Sequence, residues 1–181
     1  MPFRKWDQVL ELMDYTDRID PNNRRTKGLR DYVVRIRELT AEVARLEAKR
    51  QAKQLTDQDV FALSRCYFEL GRTAEAVQLA RTVADKIADA ASLHTLATMF
   101  LEARQDADAE RALNRYLKAN PTGDANAWAD LAKLQHRAGR TQAAQQSFIQ
   151  GYQIDRQTLF ARLQRDQELY ELAAPLFQRR Q

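Results

Sequence analysis

Apolar residues along this chain recur at spacings of three and four, the period of an α-helix with one buried side. Phe3, Trp6, Val9, Leu10 and Met13 predict a short amphipathic helix over residues 3–15, whose tryptophan needs something to dock on, the nearest acceptor being the chain itself. Leu29, Tyr32, Ile36, Leu39, Val43 and Leu46 form a heptad stripe on a long helix predicted from Gly28 to about Gln54. Arg50 and Lys53 hold the next seam places, so the stripe stops there. Between the two helices, residues 14–23 predict a turn-rich connection ending at Asp20-Pro21. From Thr56 onward the segments shorten. Thr56-Asp57-Gln58-Asp59 predicts a capped helix start with acids in its first turn. Gly71 and Gly139 mark helix C-termini, and Pro121-Thr122-Gly123-Asp124 marks a break and a new cap. Two further helices follow Arg156, carrying Leu159, Phe160 and Leu163, then Leu169, Tyr170, Leu172, Leu176 and Phe177. The second is predicted to end around Pro175.

Within residues 57–156 the pattern repeats. Leu63, Leu96 and Leu131 stand 33 and 35 residues apart. Val60, Leu93 and Trp128 precede them by three, and Ser64, Ala97 and Ala132 follow directly. Tyr67 and Phe100 supply an aromatic one turn later, where the third copy has Gln135. Ala76, Ala109 and Ala144 open the second helices, followed four on by Ala80, Leu113 and Phe148. A closing proline appears only at Pro121. Three copies in register at this period resemble the tetratricopeptide repeat family. Small residues let the helices of a pair approach, and large ones fill the gap to the next pair. In the middle copy Ala103-Arg104-Gln105-Asp106 replaces the glycine turn, which predicts a looser turn or one of another type there. The resemblance implies an all-α, right-handed α-solenoid. It would comprise a helical arm over 1–55, three hairpins over 56–156 (56–89, 90–121 and 122–156) and capping helices over 157–181. Arrays need such caps, since the last pair would otherwise expose its apolar side.

Composition narrows the classes. Five glycines and four prolines in 181 residues suit a helical chain. No apolar run of membrane-spanning length occurs and no secretory signal stands at the N-terminus, so a cytoplasmic protein is expected, unless an upstream anchor has been removed. Cys66 is the single cysteine, so no internal disulfide can form. The net charge of +4 lies entirely in residues 1–55, while residues 56–181 hold 16 bases and 16 acids. The arm's bases are interleaved with acids, so a solvated helix face is favoured over nucleic acid or an acidic membrane.

Catalytic, cofactor and metal sites are not expected. Residues 14–23 lack the alternate ligands, central glycine and closing glutamate of a calcium loop. No Cys-x-x-Cys, HExxH or phosphate-loop spacing occurs. Cys66, His94 and His136 lack an evident orienting group, and Cys66 reads as a small packed residue. The reading is therefore a non-enzymatic scaffold. The resemblance implies that the first helices of the pairs line a concave groove. Phe61, Arg65 and Phe68, then His94 and Thr98, then Lys133, His136 and Arg137 are the candidate partner contacts. Arg65, Lys133 and Arg137 predict a basic bias, suited to a peptide or protein segment with acidic and apolar side chains. The carboxylate clamp of chaperone-binding members is missing: Phe61, Arg65, Thr95, Asn126 and Asp130 occupy its places. The rival reading is a structural module that forms homodimers through Leu29, Tyr32, Ile36, Leu39, Val43 and Leu46.

Overall fold

A computed structural model describes the backbone of residues 3–20 and 24–178 and the side chains of residues 8–20 and 27–177. All its elements are helical: α1 Phe3–Ile19, α2 Arg24–Gln51, α3 Asp57–Glu69, α4 Thr73–Val83, α5 Ala90–Glu102, α6 Asp106–Ala119, α7 Ala125–Arg137, α8 Thr141–Ile154, α9 Arg156–Leu163 and α10 Gln167–Gln178. A 3₁₀ turn, Ala84–Lys86, follows α4. The protein is all-α. Its chain divides into two compact units, Met1–Val83 and Ala84–Gln181. The arm thus shares a unit with the first hairpin, and the capping helices share one with the second and third.

In the first unit, α1 packs on α2, α2 on α3 and α3 on α4. Leu46 of α2 meets Leu63, Tyr67 and Ala76 in a buried core, with Val43, Phe68 and Leu79 against it. The expected loop over residues 14–23 is corrected. Helix α1 continues to Ile19, and α2 begins at Arg24, leaving Gly28 inside it. The acids that suggested a loop face Arg30 of α2, which sits 2.7 Å from both Asp14 and Asp17. They tie two helices together rather than ending one. The docking expected of Trp6 concerns a side chain outside the described residues, and Pro21, Asn22 and Asn23 of the rejected calcium loop lie outside them too. At α3 the expected cap is present as a reciprocal box. The Asp59 N–H donates to the Thr56 hydroxyl, and the Thr56 N–H donates to the Asp59 carboxylate.

In the second unit, α5 and α6 form one hairpin, α7 and α8 the next, and α9 and α10 close over α7 and α8. Leu159, Leu163, Leu169, Leu172 and Ala173 share a core with Ala125, Ala129, Ala132, Ala144 and Phe148. Gly151 is the close approach that lets these helices meet: a Cβ there would lie 3.0 Å from the Ala125 carbonyl oxygen and 3.2 Å from Leu159. Gln135, the polar substitute for an aromatic, is buried and accepts a 2.8 Å hydrogen bond from Ser147 of α8. Helix α10 runs through Pro175 to Gln178 instead of stopping at the proline. Proline there removes one backbone donor near the helix end, where few bonds remain to lose.

The turns correct another expectation. Gly71 and Gly139 both have φ of 75°, and Arg104 takes φ of 55° in the place where glycine is missing. The hydrogen bonds coincide. Gly71, Arg104 and Gly139 donate to Phe68, Leu101 and His136, and the next residue in each case donates to Tyr67, Phe100 or Gln135. The middle turn is thus of the same type as the others, with a side chain held in the left-handed region. Lys53, φ 57°, closes α2 in the same way. Capping and packing on either side over-determine the turn, so the roughly 1 kcal/mol steric penalty is tolerated.

Candidate functional site

The predicted partner contacts fall on both units. On α3, Phe61 is only 7% exposed and belongs to the interior, so an aromatic offered to a ligand is not what this position provides. Phe68 is half-buried against the Leu46–Leu63 core. Arg65 is exposed and lines a shallow cleft of about 360 Å³ between α2 and α3, with Arg35, Glu38, Glu42 and Glu69 around it. Arg35 donates to Glu69 at 2.6 Å, and Glu42 pairs with Arg45 at 2.6 Å. The hydrogen bonds from Arg45 hold the Glu42 carboxyl below the usual range.

On α5, His94 lies tilted against Tyr116, with 5.0 Å between ring centroids. Its Nε2 is 3.3 Å from Asp124, the residue that caps α7 by accepting from the Asn126 and Ala127 N–H groups. Thr98 spends its hydroxyl on the His94 carbonyl, one turn back. On α7, Lys133 donates to Asp166 at 2.6 Å and lies 3.7 Å from Glu168. Arg137 grips Glu168 with two bonds of 2.7 Å and reaches Asp106 at 3.6 Å. His136 is half-buried, and its Nδ1 is enclosed with no hydrogen-bond partner. Of these residues Lys133 and Arg137 line a cleft of about 440 Å³, with Leu101 and Glu102 of α5, Arg104 of the following turn, and Asp130 and Leu134 of α7.

The basic bias expected of this face is cancelled. Asp166 and Glu168 come from the start of α10, whose place against α7 no repeat landmark revealed. The Glu168 carboxyl is held below its usual range, first by the Arg137 hydrogen bonds and then by the Arg137 and Lys133 charges. Burial pushes Asp166 up, but hydrogen bonds from Lys133 and the Leu169 N–H, with the Lys133 and Arg162 charges, bring it below the usual value. Arg162 of α9 adds a clasp on Asp130 and on the Asn126 carbonyl at 3.0 Å. Sequence reasoning also missed Arg115, which donates to the Ala84, Asp85 and Ile87 carbonyls and secures the start of this unit to α6. A long cation bonding to backbone leaves no spacing signal.

The heptad stripe is divided between burial and water. Leu39 and Leu46 are buried, Ile36 and Val43 half-buried, and Leu29 and Tyr32 exposed. Leu39 and Leu46 serve the chain's own packing and are not free to meet another copy. Cys66 is buried, and burial followed by the Glu42 and Glu69 charges pushes its thiol up, away from the thiolate a nucleophile needs. Among the described residues, no three His, Cys, Asp or Glu side chains group as a metal site, and no helix is long and apolar enough to cross a membrane.

Two solved structures of MamA share the fold. One aligns with a TM-score of 0.58 at 15% identity over 85% of this chain and 82% of its own. The second gives 0.58 and 15% over 84% and 76%. A third, MamA MSR-1 C2, gives 0.51 and 16% over 82% and 98%. At such identity the likeness is one of fold alone. No family model and no curated protein sequence matches the chain. The likeness agrees with the all-helical fold.

Proposed function

We propose that the chain is a non-enzymatic scaffold of tetratricopeptide-type hairpins that holds a peptide or protein segment in the cleft between α5 and α7. The observation that supports this is the cleft itself. Leu101 lines it with half-buried apolar surface beside the buried Leu134, and the charges of Lys133 and Arg137 are fixed by ion pairs before any ligand arrives. A preformed surface of this kind spares a partner the entropy of ordering the receptor. With Lys133 and Arg137 already answered by Asp166 and Glu168, a strongly acidic segment has no advantage there. Glu102 and Arg104, exposed at the rim, suit a segment with an apolar anchor and charges of both signs.

The test is affinity capture with the wild-type chain and with Leu101→Arg, which fills the cleft with charge. A specific captured segment should then bind as a synthetic peptide to the wild type and at least tenfold more weakly to the variant, the loss expected of one central apolar anchor. Equal binding to both would move the partner off this cleft.

A further inference from the structure

Helix α1 leaves Leu12, Tyr15 and Ile19 in water, 64%, 61% and 68% exposed. Spacings of three and four put them on one side of the helix. The other side carries buried Met13 and the acids Asp14 and Asp17 that hold Arg30. The stripe therefore points away from α2. Glu11 and Arg18 are both exposed, and a separation of seven sets them along the same flank of the stripe. Among the described residues neither has a partner.

That flank is self-complementary in one arrangement only. Turn a second α1 antiparallel about a two-fold axis at Tyr15. Leu12 then faces Ile19 of the second copy, Tyr15 faces Tyr15, and Glu11 faces Arg18 twice over. A parallel two-fold pairing would carry this flank to opposite sides of the interface, so Glu11 and Arg18 would not meet. We propose that α1 is a homodimer contact, in which two copies pack antiparallel through Leu12, Tyr15 and Ile19 with reciprocal Glu11–Arg18 pairs. The contact is isologous, so it closes at two chains. One helix face falls well short of the roughly 800 Å² per partner of a standard stable interface, so the dimer is weak and forms in the micromolar range or above. The contact is distinct from the α5–α7 cleft, and neither depends on the other.

Sedimentation equilibrium of the full chain from micromolar to millimolar concentration tests it. The wild type should pass from monomer to dimer and no further. Ile19→Asp should weaken association by roughly tenfold or more, since it puts a charge where an aliphatic side chain is buried. Glu11→Arg and Arg18→Glu should each weaken it by roughly two- to fivefold, the range of exposed ion pairs. An equimolar mixture of those two variants should form a heterodimer about as tight as the wild type, because every facing pair is again opposite in sign. All three substituted side chains are exposed, so thermal melts should match the wild type and exclude misfolding. A wild type that stays monomeric throughout, an Ile19→Asp chain that associates unchanged, or a mixture no tighter than either variant alone would each overturn the proposal.

Discussion

Two helical pairs flank the repeated hairpins, and they treat their surfaces in opposite ways. The pair α9–α10 gives its leucines and charges to its neighbours: Leu159 and Leu169 are fully buried, Asp166 and Glu168 meet Lys133 and Arg137, and Arg162 clasps Asp130, while Tyr170 is exposed and Phe160 and Phe177 stack at the surface. The pair α1–α2 gives only one side of each helix. Met13, Val33, Leu39 and Leu46 go inward, while Leu12, Tyr15, Ile19, Leu29 and Tyr32 stay in water. A terminal helix that spends its apolar and charged groups on its own chain is a cap. One that withholds them is a surface waiting for company.

Core substitution should show the contrast at its largest. Leu169→Ala should destabilise the second unit by about 2–5 kcal/mol, the range for a fully buried leucine. Ile19→Asp should shift unfolding by less than about 0.5 kcal/mol, as exposed sites do. Chemical denaturation of both variants measures it, and comparable losses would erase the distinction.

Acid should sharpen it next. Asp166 and Glu168 are held below their ordinary values of 3.8 and 4.5, so the unfolded chain takes up protons before the folded one does. Their contribution is complete above the ordinary values and drains away as pH falls through the depressed ones. Melting monitored between neutrality and acid should therefore lose stability below about pH 4.5, and Lys133→Met should flatten the part of that slope due to Asp166. The first unit has its own acid-sensitive joint. Hydrogen bonds from the Thr56 N–H, Lys49 and the Thr56 hydroxyl depress Asp59 to about 2. Its cap should survive until the pH approaches that value.

Ser147→Ala should cost about 1–3 kcal/mol, because it leaves the Gln135 carbonyl oxygen buried without a donor. The double variant with Gln135→Leu should recover much of the loss, as replacing both polar partners does. The smallest effect should be a gain. Arg104→Gly should stabilise the middle hairpin by about 0.5–1 kcal/mol by removing the left-handed penalty.

These effects also show what the sequence could reveal. The helices of the hairpins were legible because Leu63, Leu96 and Leu131 repeat a packing rule that operates between neighbours in the chain. The caps at Thr56 and Asp124 were legible because their partners lie three residues away. The site was less so. Lys133 and Arg137 were found, but their acids lie about thirty residues on, and no local pattern announces such a meeting. Phe61 was read as a contact because the resemblance puts its place on the groove, whereas the core absorbed it. The stripe on α2 was read as one seam, but it changes role along its length from water to core. Composition alone cannot locate that change.

The turn at Arg104 carries a wider consequence. If hydrogen bonds and flanking helices can bend the backbone there without glycine, the genetic record at that place is free to drift while the trace of the chain stays put. A profile weighted toward glycine would then pass over the middle hairpin. Ancestry in such arrays can fade from the letters long before it fades from the shape.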